Sequence, residues 1–214
     1  MGEQFFNWVW NTANIPFARW GILAVITGLR ALCRGILSKY YGINIMPGLT
    51  IYPERRLLDK YTDLEETLKM AEIIEAYSII GFNLMNKVTR PERYVKKLLL
   101  PRPDCNSLKN LEDTTSREGN FTPTIKTSTQ IAIKNKIPVR WYPEFIGYSY
   151  YIANRNKDNG WVHVEYVLPH TSDHLKRPSM RINKKEYPKI FNYYVEAFDE
   201  MWSNAYTPTD EDLN

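Results

Sequence analysis

The chain has 214 residues, 43% of them hydrophobic and 24% charged, which fits a globular protein with room for one domain of about 150–170 residues and an appendage, or for one larger domain. A formal net charge of +4 is too small by itself to indicate a nucleic-acid protein, and two cysteines, Cys33 and Cys105, exclude a disulfide framework or a CxxC site. A reducing, cytoplasmic setting is therefore expected, and Asn120-Phe121-Thr122 reads as a chance sequon in a loop.

The charge is unevenly placed. Residues 1–50 hold Arg19, Arg30, Arg34 and Lys39 against Glu3 alone, whereas the last stretch holds Glu196, Asp199, Glu200, Asp210, Glu211 and Asp212 with no Lys or Arg. An anionic surface met by the N-terminus fits that asymmetry. Asn7, Asn11, Thr12, Asn14 and Pro16 break up residues 4–18, and the apolar run Trp20 to Leu29 is about half the length a spanning helix needs. Extending it brings in Arg30 and Arg34, costly in mid-bilayer, and the flanks do not suit a cleaved signal peptide.

Ile22, Val25, Ile26, Leu29, Leu32, Cys33 and Ile36 recur at helical spacing, with Trp8, Trp10, Phe17 and Trp20 upstream. Aromatic and aliphatic side chains opposite arginine make an in-plane interfacial helix, so Trp8, Trp10, Phe17, Trp20, Ile22, Ile26, Arg30 and Arg34 are the expected membrane contacts. Packing against the domain or in an oligomer needs the same stripe and stays open, as does a span.

Gly42 to Gly48 reads as a turn region and Leu49 to Tyr52 as a short strand stopped by Pro53. Thr62-Asp63-Leu64-Glu65 has capping-box form and predicts a helix from Thr62 or Asp63, with Leu64, Leu68 and Ala71 on one face. Ile73 to Ile80 and Tyr94 to Leu100 predict buried strands, and Arg102 to Asn120 a long polar loop. Thr122-Pro123 forms an N-cap and N1 pair for a helix to about Lys136. Strands at Val139–Tyr142, Gly147–Ala153 and Trp161–Leu168 follow, the last two joined by an Asn- and Gly-rich hairpin. Pro178 to Ile182 predicts an edge strand. Glu186 to Ala205 predicts a helix with Ile190, Phe191, Tyr194, Phe198, Met201 and Trp202 as its core stripe, before a frayed tail from Tyr206. Alternation early and strands in a run later imply an α/β fold, a mixed sheet flanked by helices. The expected organisation is an amphipathic segment at 1–43, a domain at 44–205 and an acidic tail at 206–214.

Ala71 to Gly81, "VKKLLLPRPD" from Val95, Lys136 to Trp141 and the closing "YPKIFNYYVEAFDEMW" together resemble a single compact unit of the phospholipase D-like superfamily over roughly residues 49–205. In catalytic members an H-x-K-x(4)-D motif supplies a histidine nucleophile and a lysine that neutralises phosphate oxygens. The strand that should carry it is Gly147-Tyr148-Ser149-Tyr150-Tyr151-Ile152-Ala153-Asn154, without His or Lys at that spacing. The resemblance thus implies a non-catalytic module binding a phosphate-bearing ligand or a protein partner, at a membrane surface or paired as a homo-oligomer.

Two alternatives remain. His174-Leu175-Lys176, with His170, would make a divergent phosphodiesterase or nuclease half-site completed by a second copy, although Pro178 breaks the strand and Arg181 stands where Asp should follow. Lys176, Arg177, Arg181, Lys184, Lys185 and Lys189 beside Tyr148, Tyr150 and Tyr151 would make a single-stranded nucleic-acid surface. Lys176, Arg177, Arg181, Tyr148 and Tyr150 are the expected ligand contacts. His170 and His174 have the i, i+4 spacing of a metal pair but no evident third ligand, so no metal and no cofactor is expected. His163 alternates with Val162 and Val164 and reads as a sheet-face residue.

Overall fold

In the computed structural model the described residues are 43–52, 68, 71–79, 81, 84–85, 90–114, 121–167 and 177–213. The chain divides into Met1–Tyr41 and Gly42–Asn214, and all of them lie in the second unit. The expected interfacial helix therefore falls outside the described residues, as does the helix opening at Thr62 or Asp63 except for a buried Leu68.

The strands are β1 (Ile43–Met46), β2 (Leu49–Tyr52), β3 (Ile74–Tyr77), β4 (Val95–Pro101), β5 (Val139–Tyr142), β6 (Tyr148–Ala153), β7 (Trp161–Tyr166) and β8 (Ser179–Asn183). The helices are α1 (Pro91–Tyr94), α2 (Asn106–Thr114), α3 (Phe121–Lys134), α4 (Pro188–Asn204) and α5 (Asp210–Leu213). One eight-stranded mixed sheet runs in the order β1-β2-β8-β7-β6-β3-β4-β5. β3, β4 and β5 are parallel, and β6, β7, β8, β2 and β1 continue antiparallel from β3. The fold is α/β, with helices on both faces of a mixed sheet.

β3 and β4 lie inside the sheet, and apart from Glu75, Lys96 and Lys97 they present apolar side chains to both faces. Leu98 and Leu100 join a core with α2 and α3 on one side, while Leu99 and Tyr77 join a core with α4 on the other. Trp141 Nε1 donates to Thr129 Oγ1 at 3.0 Å and ties β5 to α3. Phe191, Phe198 and Met201 are the buried stripe of α4.

Several expectations shift. The Gly42–Gly48 turn region contains β1, and the turn is confined to Pro47-Gly48, where Gly48 has φ 83° and the Glu186 side chain approaches too closely for a Cβ. The loop expected over Arg102–Asn120 holds α2, whose few apolar anchors, Leu108 and Leu111, leave a thin helical signal. Thr122 does not cap α3; the helix starts at Phe121 and the Thr122 hydroxyl donates to the Pro103 carbonyl at 2.8 Å. β8 is no edge strand, because β2 pairs along its far side. The tail does not fray at its start. Trp141 and Tyr206 exchange backbone hydrogen bonds, and burial pushes the Tyr206 phenol up to about 12.

A four-residue ionic clasp fastens α4 to the sheet. Arg155 Nη1 donates to both Glu75 oxygens at 3.0 and 2.8 Å and to Asp199 at 3.0 Å. Lys97 reaches Glu75 at 3.1 Å and Asp199 at 3.7 Å. Glu75 is buried on β3, so its charge is tolerated only because two cations meet it. The hydrogen bond from Arg155 holds the Asp199 carboxyl below the ordinary aspartate range.

Arg155→Met would leave Glu75 with Lys97 alone and is expected to cost about 3 kcal/mol in urea unfolding. Because the folded pKa of Asp199 is depressed, its contribution is present above the ordinary aspartate value of about 3.9 and fades as pH falls through the folded value. The native chain should therefore lose stability below that pH and the variant should lose less. A cost under about 1 kcal/mol would show that the clasp does not hold the helix.

Candidate functional site

Alternation along β6, β7 and β8 sorts their side chains onto two faces. Tyr150, Ile152, Val162 and Val164 belong to the core shared with α4. The opposite face of the same strands carries a polar array. Pairing sets Ser149, Glu165 and Ser179 side by side in one row and Tyr151, His163 and Arg181 in the next. Directly opposed residues have Cβ atoms about 4.5–5.5 Å apart, so each row forms one contact surface. β2 extends the rows with Tyr52 beside Ser179 and Thr50 beside Arg181.

Polar groups inside a sheet are costly unless something answers them. Ser149, His163, Glu165 and Ser179 are all buried, with Arg177 and Arg181 half-buried beside them. Arg177 Nη1 donates to Glu165 Oε1 at 3.2 Å. The Ser149 hydroxyl accepts the Ile79 N–H at 3.2 Å, and that of Ser78 accepts the Gly81 N–H at 3.1 Å, which shapes the exit of β3. The His163 ring lies near-parallel to Tyr151 with centroids 6.4 Å apart. The Arg181 guanidinium sits 4.6 Å over the Trp161 ring, and burial lowers its pKa.

Two donors in this array are idle. Ser179 Oγ and Arg177 Nε are buried without a hydrogen-bond partner. Arg177 is paired with Glu165, whereas no ion pair joins Arg181 to a carboxylate among the described residues. Surplus positive charge with unused N–H and O–H groups is an arrangement that accepts an oxyanion.

Tyr148 and Tyr150 lie on the other face. Tyr150 packs against Tyr77 at 6.0 Å, Tyr148 at 5.8 Å, Tyr194 at 5.6 Å and Phe198 at 6.2 Å, with its hydroxyl 3.6 Å from Met201 Sδ. Burial raises the phenol pKa values of Tyr77, Tyr148, Tyr150 and Tyr194, which stay neutral. The sheet thus separates Tyr148 and Tyr150 from Arg177 and Arg181, and the expected ligand contacts do not form one site. Tyr150 is core.

The other candidates scatter. His170, His174 and Lys176 lie outside the described residues, as do Trp8, Trp10, Phe17, Trp20, Ile22, Ile26, Arg30 and Arg34. Lys184 donates to the Arg155 carbonyl at 2.9 Å and lies over Phe191, while Lys185 and Lys189 are exposed. Sequence reasoning missed Ser149, Glu165 and Ser179. Their signal was present, since Ser149-x-Tyr151 and His163-x-Glu165 place polar groups at period two within otherwise apolar strands. Among the described residues, no group of His, Cys, Asp and Glu could hold a metal ion, and no helix is long and apolar enough to cross a membrane.

No family model and no curated protein matches the chain. Solved structures similar to it include the following two. TrmBL2, described as an archaeal chromatin protein with a novel mode of DNA binding, is 16% identical with a TM-score of 0.48, over 89% of this chain and 65% of that one. Nuc, a phospholipase D family member from Salmonella typhimurium, is 15% identical with a TM-score of 0.45, over 73% of this chain and 93% of that one. The chain therefore spans less than two thirds of the chromatin protein. At such scores neither likeness assigns a family or a ligand.

Removing a buried hydroxyl that bonds nothing should cost little. Ser179→Ala is expected to leave stability unchanged or raise it by up to about 1 kcal/mol. A loss above about 1 kcal/mol in chemical denaturation would mean that Ser179 is held by a structural hydrogen bond.

Proposed function

We propose that the chain is a non-catalytic module of phospholipase D-like architecture that binds a phosphate-bearing ligand on the polar face of β6, β7 and β8. The observation that carries this reading is the pair of idle buried donors, Ser179 Oγ and Arg177 Nε, beside a second guanidinium on Arg181. A phosphate oxygen would take those donors, and the planar guanidiniums suit its geometry. Glu165 then orients Arg177 and opposes a second anion of like charge. The absence of chemistry is supported by β6 itself, where Tyr148 and Tyr150 occupy the strand that would carry the motif and Tyr150 is a neutral, buried phenol. The architecture is supported by the sequence patterns over residues 49–205 and by the succession of β3, β4, α3, β5, β6, β7 and α4 along the chain.

Titration with dimethyl phosphate and inorganic phosphate, followed by amide chemical shifts on β7 and β8, tests the site. Saturable shifts are expected at Glu165, Ser179 and Arg181. Arg177→Met and Arg181→Met should each weaken binding by about tenfold, and Ser179→Ala by several-fold without loss of stability. Equal affinity in all three variants would sink the reading.

In the same reading the module works at an anionic membrane surface through residues 4–38, on the support of their aromatic, apolar and arginine pattern. Liposome co-sedimentation should pellet the full chain, more with anionic lipid, and leave a chain beginning at Asn44 in the supernatant. If both chains partition alike, the N-terminal segment is not the anchor.

A further inference from the structure

Where α3 runs into β5, beside the end of α4, a groove of about 420 Å³ opens, within the roughly 300–1,000 Å³ of small-ligand sites. Among the described residues Ile133, Ile137, Val139 and Trp202 give it an apolar lining, and Lys136 and Arg140 are its charged groups, both cationic. Ile137 and Val139 are buried, whereas Ile133 is 46% exposed in the last turn of α3, off the buried stripe of that helix.

Neither cation is used up inside the protein. Arg140 lies over the Trp202 ring at 4.9 Å, and its Nη1 donates to the Trp202 carbonyl at 2.8 Å. That bond fixes the guanidinium and leaves its other N–H groups without an acceptor among the described residues. A second cation over the same ring, Lys97 at 5.5 Å, is answered by Glu75 and Asp199, but no carboxylate meets Arg140 among the described residues. Lys136 stands just past the end of α3 at φ 56°, where a cation could serve the last carbonyls of the helix. Those carbonyls are answered by other groups. Ile131 accepts the Asn135 N–H at 3.0 Å and its Nδ2 at 2.9 Å, Ala132 accepts the Ile137 N–H at 2.9 Å, and Ile133 accepts the Lys136 N–H at 2.9 Å. The Lys136 ammonium stays available. Two unanswered cations at an apolar lining complement a ligand that joins one anionic head to an apolar tail.

The lining also narrows the kind of tail. The Trp202 ring is met by Arg140, by Lys97 and by a near-parallel Phe198 at 6.1 Å, so it offers an edge rather than an open face for stacking. An aliphatic chain needs no ring face. We propose that this groove binds a small aliphatic carboxylate. Its two oxygens would take the free N–H groups of Arg140, whose planar fork matches a carboxylate, with Lys136 as the second charge. Its chain would lie against Ile133 and the edge of Trp202. This site is separate from the polar face of β6, β7 and β8 and does not depend on phosphate binding there.

The test titrates the full chain with octanoate and follows the Ile133 methyl and Trp202 indole N–H shifts. Saturable binding is expected with Kd of about 1 mM or below, weakened about tenfold by Arg140→Met and about threefold by Lys136→Gln. Octanol, with the tail alone, and acetate, with the head alone, should each bind at least about tenfold more weakly. These two ligands keep the question open to an answer should Arg140→Met fail to fold. The proposal is overturned if octanol or acetate binds as tightly as octanoate, if both variants keep the native affinity, or if no saturable shift appears by about 10 mM octanoate. It also falls if anionic vesicles or a glutamate-rich peptide shift Ile133 and Trp202 while octanoate does not.

Discussion

The pairing of β3 with β6 is the constraint on which the rest of the structure depends. β3 is buried along its whole length and joins two parts of the sheet that differ in character, the parallel β3-β4-β5 and the antiparallel β6-β7-β8-β2-β1. Its start is pinned by one residue. Asn154, at φ 51°, accepts the Glu72 N–H at 2.9 Å and the Ile73 N–H at 3.3 Å through its side chain, and donates its own N–H to the Ile73 carbonyl at 2.9 Å. Arg155 follows directly and neutralises Glu75 on β3. A left-handed Asn and a buried ion pair thereby lock the seam in one register, and a one-residue slip would put Glu75 in the other face of the core.

Once that register is set, the faces of β6 and β7 follow from alternation alone. Tyr150, Ile152, Val162 and Val164 meet α4, and Ser149, His163 and Glu165 face the other way. The polar array is a consequence of the seam, not an independent device. The cost of burying it is partly offset by the Arg177–Glu165 pair and the Ile79–Ser149 bond, while Ser179 and Arg177 Nε remain unanswered. Residual dissatisfaction of this kind is what a ligand would relieve. The opposite face has none of it, because its phenols pack on one another and on α4, and burial keeps them neutral.

The two ends of the sheet are handled differently. At β5 the chain covers its own edge with Tyr206 and then stops at Pro208, which keeps the edge short and limits indiscriminate pairing. The cations Lys136 and Arg140 flank the same edge.

Much of the fold was legible in the sequence. Period-two and continuous apolar runs located β3, β4, β5, β6 and β7, and the helical stripe of Phe191, Phe198 and Met201 located α4, because these signals depend on which side chains must leave water. β1, α2 and the ordered tail were not legible, since a hairpin at Pro47-Gly48, a helix with two buried leucines and a bridge to Trp141 draw their stability from distant partners. The candidate site was half visible. Arg177 and Arg181 stood out as charge and Tyr148 and Tyr150 as aromatics, but linear proximity carries no information on which side of a sheet a side chain will lie. By itself the sequence determined the layered α/β class, most of the strands and the absence of His and Lys from β6, all of which follow from local composition and spacing. Only the tertiary structure decided that β8 lies inside the sheet, that the arginines and tyrosines are on opposite faces, and that Ser179 is buried without a partner. The first rests on a register between segments more than a hundred residues apart, Thr50 with Arg181, and the other two on the registers among β6, β7 and β8, which no local pattern encodes.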